Sequence, residues 1–218
     1  MSKAVTGLVL RANASPGAGT GNEGTRMLGD ADFVTVVSGL PRSGTSMMMR
    51  MLAAGGIEPL VDHERAPDTD NPLGYYEFQR VKTLRQDSSW VAQARGKALK
   101  VIYKLVYDLP ADISYRIVFL ERDLDEVQAS QEAMLRRSGL DPDQIGREVL
   151  IKLFQAEIFA FRRWAEAQAN VRIFYANHAR VIADPKKAAQ EIAQFLGLPM
   201  DTAAMAEVVT PELHRNRG

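Results

Sequence analysis

A three-layer α/β fold, with a central, mainly parallel β-sheet flanked by helices, is what this 218-residue sequence predicts. Two observations lead there. Phe33–Ser38, Ala98–Tyr103, Tyr115–Leu120 and Val171–Tyr175 are near-continuously apolar and mostly β-branched, as strands covered on both faces are. Helical patterns lie between them, and strands alternating with helices build parallel sheets. In such sheets ligands bind beyond the carboxyl ends of the strands.

Element by element, residues 1–32 come first. They hold six of the sixteen glycines and three charges of each sign, without periodicity. They read as a flexible arm, which leaves 33–218 as the folded unit. Phe33–Ser38 is the first strand, and Gly44–Ala54, rich in methionine, is the helix after it. Asp123–Arg137 is the second helix. The longest starts at Asp141-Pro142, a capping residue followed by a first-turn proline. Its Leu150, Phe154, Ile158, Phe161 and Ala165 form one stripe. The last clear helix is Pro185–Leu196, stopped by Gly197 and Pro199.

Composition narrows the function. Basic and acidic side chains number 27 each, so the formal net charge is zero and bulk electrostatics do not hold nucleic acid or membrane; an anionic ligand needs a local site. The 46% apolar content supports a core. The absence of cysteine excludes a disulfide scaffold, thiol catalysis and Cys-ligated zinc. No apolar run approaches the roughly 20 residues that span a bilayer, and the amino terminus makes a poor secretory signal, so a cytoplasmic protein is expected. His63, His178 and His214 lie far apart in sequence, and no metal site is expected.

The most informative segment follows the first strand. Gly39-Leu40-Pro41-Arg42-Ser43-Gly44-Thr45-Ser46 nearly matches the G-x-x-x-x-G-K-[ST] phosphate loop. Glycines let backbone N–H groups wrap an anion, and the helix start adds partial positive charge. Arg42 and the hydroxyls of Ser43, Thr45 and Ser46 add donors. Thr45 stands where the usual lysine would be, and the cation has moved to Arg42. A kinase or ATPase loop without that lysine loses its contact to the terminal phosphates.

The sequence P-R-S-G-T-S after a strand resembles the 5′-phosphosulfate loop of the sulfotransferase family, whose donor is 3′-phosphoadenosine 5′-phosphosulfate (PAPS). The resemblance extends over roughly 33–200. In that family an Arg at a strand end and a Ser eight residues later hold the 3′-phosphate. YRIVFLERDLDEVQASQ supplies Arg122 and Ser130 at that separation, with Arg122-Asp123-Leu124-Asp125 where many relatives have Arg-Asn-Pro-x-Asp. FYANHARVIADPKKAAQEIAQFLGLP is similar to a downstream segment of the family. Tyr175, Asp184, Pro185, Phe195, Leu196, Gly197 and Pro199 fit it, and Asn177 and His178 do not. The resemblance implies donor contacts from Pro41 to Ser46, from Arg122 and Ser130, and from Tyr175 to the base. A core aromatic at a strand end is the equal alternative for Tyr175.

The implied activity is transfer of a sulfuryl group from PAPS to a hydroxyl or amine, releasing adenosine 3′,5′-bisphosphate (PAP), without a metal. In-line geometry and charge stabilisation supply most of such catalysis, with Arg42 and Ser46 at the transferring group. Lys100 matches the family lysine near the bridging oxygen. The histidine base of cytosolic relatives has no counterpart near Lys100-Val101-Ile102. Other relatives use a glutamate about twenty residues after the loop, which ranks Glu64 first as base, Glu77 second and His63 third. Tyr75 and Tyr76 line an acceptor pocket or anchor a loop. The terminal His214-Arg215-Asn216-Arg217-Gly218 resembles, faintly, a basic element at the 3′-phosphate. A small hydroxylated compound is the expected acceptor, with a protein acceptor and the oligomeric state left open. A phosphate-loop kinase and a non-catalytic nucleotide-binding module are the alternatives.

Overall fold

The fold is given by a computed structural model, which describes residues 31–62, 64, 74–137, 139, 141 and 146–209. Four parallel strands, β1 (Phe33–Gly39), β2 (Ala98–Lys100), β3 (Ser114–Glu121) and β4 (Val171–Asn177), form one sheet in the order β2-β1-β3-β4. The α-helices among the described residues are α1 (Thr45–Ala54), α2 (Leu124–Arg137), α3 (Arg147–Glu166), α4 (His178–Ala183), α5 (Pro185–Leu196) and α6 (Thr202–Glu207). This is the expected three-layer α/β fold of the phosphate-loop type. The connection from β1 runs to β2 on one side and that from its neighbour β3 runs to β4 on the other, so the topological switch point lies between the carboxyl ends of β1 and β3.

Alternation along β1 divides the core. Phe33 and Val37 face a cluster built with Met48, Met49, Leu52 and Ile192 of α1 and α5. Val34 and Val36 face the other side, with Trp90, Val127, Phe154 and Phe161. The α3 stripe behaves as its spacing predicts: Phe154, Phe161 and Ala165 are buried, and Leu150 and Ile158 pack against the same cluster. Phe161 stacks on Phe119 of β3 at 4.2 Å between ring centroids. On the opposite face Arg116 lies over the Phe33 ring at 4.0 Å and donates to the Leu196 carbonyl, tying the end of α5 to the sheet.

Several expected boundaries shift, three of them in ways that bear on the fold. Ala98–Tyr103 is a strand only over Ala98–Lys100. Val101 still donates to the Val37 carbonyl, but a 3-10 helix takes over at Tyr103–Asp108. The longest helix begins at Arg147, after an extended Gly146, and not at Asp141-Pro142; positions 142–145 lie outside the described residues, as do 1–30. Asp123 is the cap of α2 and not its first residue, accepting from the amides of Asp125 and Glu126 at 3.0 and 3.1 Å. Asp184 and Pro185 start α5 as expected: the Asp184 carboxylate accepts from Lys187 N at 3.1 Å.

Candidate active site

The loop after β1 sits at the switch point. Gly39 closes the strand against β3, where a Cβ would stand 2.7 Å from the Leu120 carbonyl oxygen. Gly44 ends the loop at φ 99°, and its missing Cβ leaves room for the His178 ring, whose Cδ2 would lie 2.6 Å away. Helix α1 then starts without a side-chain cap, so its first amides are not covered by a neighbouring oxygen of that kind. Ser43 is buried, and its hydroxyl oxygen has no hydrogen-bond partner among the described residues. An uncapped helix start beside an orphaned buried hydroxyl is unused donor capacity suited to an anion.

The two anchors expected from the sequence meet. Arg42 Nε donates to Ser130 Oγ at 3.0 Å across 88 positions of sequence. Arg122 Nη1 donates to the Arg42 carbonyl oxygen at 3.0 Å, and its Nε pairs with Glu126 Oε2 at 2.8 Å. Beside them, beyond the ends of β3 and β4, a cavity of about 290 Å³ is lined by Glu121, Arg122, Asp123, Glu126, Asn177 and Ala179.

A second group forms on the other side of the loop. Lys100, at the end of β2, donates from Nζ to Ser46 Oγ at 3.1 Å and to the Tyr75 carbonyl at 2.8 Å. Ser46 Oγ also donates to the Tyr75 carbonyl, at 3.3 Å. Glu77 Oε1 is 3.9 Å from Lys100 Nζ, and both side chains are largely enclosed. Among the described residues, Arg42 (φ 67°) and Tyr76 (φ 52°) are the non-glycine residues with positive φ, and both lie here. Strained backbone of this kind gathers at functional sites.

Not every candidate joins these groups. Glu64 is exposed, its amide donating to Asp62 Oδ1 at 3.1 Å in a local turn. Tyr175 meets the Phe119 ring at 5.9 Å and lies under the Arg162 guanidinium at 4.9 Å; burial raises the pKa of its hydroxyl. Those contacts serve the strand end and α3. His63 and the terminal basic residues lie outside the described residues. Sequence reasoning passed over Arg50, Glu126 and the Tyr75 carbonyl, and treated His178 only as a departure from a pattern. The spacing of Glu126 four residues after Arg122 was a legible ion-pair signal.

Fold and site together define a phosphate-loop α/β protein with a second arginine, Arg122, at the end of the neighbouring strand and bonded to the loop. Residues 34–215 match the sulfotransferase domain family, and the chain belongs to that family. The sulfotransferase domain of the Synechococcus PCC 7002 olefin synthase superposes with a TM-score of 0.51 at 16% identity, covering 90% of this chain and 82% of that one. Sulfotransferase STF9 of Mycobacterium avium gives 0.52 at 14% identity, covering 86% and 69%. The sulfotransferase domain from the curacin biosynthetic pathway gives 0.50 at 13%, covering 83% and 79%. At these identities the likeness is one of fold. No curated protein sequence matches the chain. Among the described residues there is no helix long and apolar enough to cross a membrane, and no cluster of three or more His, Cys, Asp or Glu able to hold a metal.

Proposed function

We propose that this protein transfers the sulfuryl group of PAPS to a hydroxyl or amine of a small acceptor, releasing PAP. The observation that supports it most is the junction of Arg42, Ser130 and Arg122. Two elements 80 and 88 positions apart in sequence, each suited to a phosphate, form one hydrogen-bonded unit. In this reading the loop from Pro41 to Ser46 holds the 5′-phosphosulfate, while Arg122 and Ser130 hold the 3′-phosphate. Arginine is suited to bidentate phosphate contacts, and serine adds a further hydrogen bond.

Lys100 and Ser46 then face the transferring group. Their existing bond to the Tyr75 carbonyl fixes both donors before any ligand arrives, which lowers the reorganisation needed for charge stabilisation. For the base, geometry favours Glu77 over Glu64, because Glu77 stands beside Lys100 and Glu64 is held in an exposed turn. Tyr175 remains a candidate for the base of the nucleotide only if Arg162 releases its ring.

The test is release of PAP from PAPS in the presence of a panel of phenols, alcohols and amines, without added metal. Acceptor-dependent release is the expected result. Turnover of ATP with Mg²⁺, and none of PAPS, would assign the loop to phosphoryl transfer instead.

A further inference from the structure

Resting on the sulfuryl-transfer reading, we infer that Arg50 forms, beside Tyr76, a subsite for a negatively charged group on the acceptor. The acceptor would then carry an acid group at a distance from the hydroxyl that is sulfated.

Arg50 lies on α1 four residues after Ser46, so both sit on one face of the helix, about 6 Å apart along its axis. Long helical side chains lean back over the preceding turn, which brings the Arg50 guanidinium toward the turn that holds Ser46. Tyr75, Tyr76 and Glu77 cross the same region. The Tyr75 carbonyl takes Ser46 and Lys100, and Glu77 approaches Lys100. Between them Tyr76 adopts φ 52° and packs its ring on the core cluster that includes the methionines of α1. The phenol of Tyr76 is near enough to act electrostatically on Arg50.

Several other guanidiniums in the fold are paired with carboxylates. Arg80 has Asp87, Arg122 has Glu126, Arg147 has Asp125 and Arg162 has Glu121. Among the described residues no hydrogen bond or ion pair reaches the Arg50 side chain, although the residue is half-buried and its Nε is fully enclosed. A guanidinium stays charged in proteins, and leaving its buried donor unpaired costs stability. Burial pushes the Arg50 pKa down, and the electrostatic effect of Tyr76 opposes this only in part. A ligand anion would supply what the described residues do not. A hydroxyaryl acid offers a hydroxyl to the end of the site at Ser46, Lys100 and Glu77 and an anion to Arg50.

The experiment uses the full chain saturated with PAP, so that the donor's own anion sites are filled. Binding of 4-hydroxybenzoate, 3-hydroxybenzoate and 4-hydroxyphenylacetate is compared with that of their neutral carboxamides by calorimetry. The wild-type protein should prefer at least one acid to its amide about tenfold or more, the size expected for a charged hydrogen bond. Arg50→Gln should bring that ratio to about one, and Arg50→Lys should keep part of it. A purely structural arginine would change acid and amide binding alike. If PAP binds and no acid is preferred, or if Arg50→Gln keeps the preference, the inference is overturned while the donor site stands. If PAP itself does not bind, the sulfuryl-transfer reading fails and this subsite with it.

Discussion

Arg122 donates from Nη1 to the carbonyl oxygen of Arg42 at 3.0 Å, so the residue at the end of β3 holds the backbone of the loop that follows β1. Arg42 is in the left-handed region, which its neighbours must enforce. Glu126 in turn fixes the Arg122 guanidinium through its Nε. The result is a relay from α2 through β3 to the loop, closed by the bond from Arg42 to Ser130 of α2.

Arg122→Ala should therefore weaken PAP binding by about 1.5–3 kcal/mol, the range for a hydrogen bond to a charged group. It should also weaken adenosine 5′-phosphate, by less, because the loop loses its support. Glu126→Gln, which keeps a neutral acceptor for Arg122, should cost less than Arg122→Ala for both nucleotides. Calorimetric titration of the two ligands measures this, and equal losses for both would contradict a 3′-phosphate role.

Turnover separates the two glutamates. Glu77→Gln should lower kcat by about 10²–10⁴-fold, the usual contribution of a general base, with donor affinity little altered. Glu64→Gln should cost less, since its carboxylate sits in an exposed turn. The reverse order would return the base role to Glu64.

Gly44→Ala should destabilise the fold by about 1–3 kcal/mol in urea denaturation. Its φ of 99° is unfavourable for a side chain, and the new Cβ would strike the buried His178 ring. Adding His178→Ala should relieve the steric part of the difference and leave the backbone part. Full recovery would show that backbone strain is not involved.

Acid should reveal the turn before Trp90. The Ser89 hydroxyl, with Arg80 next, holds the exposed Asp87 carboxylate down at about 2, against an ordinary 3.8. A depressed carboxylate stabilises the fold above its unfolded value and loses that effect as pH falls through its folded value. The stability difference between wild type and Asp87→Asn should be constant down to about pH 4 and shrink between about 4 and 2. A difference that grew on acidification would contradict the assignment.

Much of the architecture was legible because buried parallel strands leave unbroken apolar runs. Phe33–Gly39 and Ser114–Glu121 extend the expected segments by one or two residues. The edge strand β2 was overdrawn, since an apolar run does not say where pairing stops. Helices α4 and α6 are six residues each, too short for a periodic signal, and rest on caps from Asn177 and Asp201. In the site, Arg42 stands out in the near-match to the phosphate loop, and Arg122 and Ser130 come from the family resemblance; the fold joins the three by hydrogen bonds. The Lys100 and Ser46 bonds to a backbone carbonyl were not legible in the sequence, because only the tertiary fold brings residue 75 to residue 46. Arg50 reads in the sequence like any polar residue on a helix, and only the fold shows its Nε enclosed without a partner among the described residues.

The most direct measurement is calorimetric titration of the wild-type protein with PAP, alongside ATP with and without Mg²⁺. The account predicts tight, metal-independent binding of PAP and weak binding of ATP, because the loop and Arg122 each take one end phosphate. Mg²⁺-dependent ATP binding with no preference for PAP would contradict it.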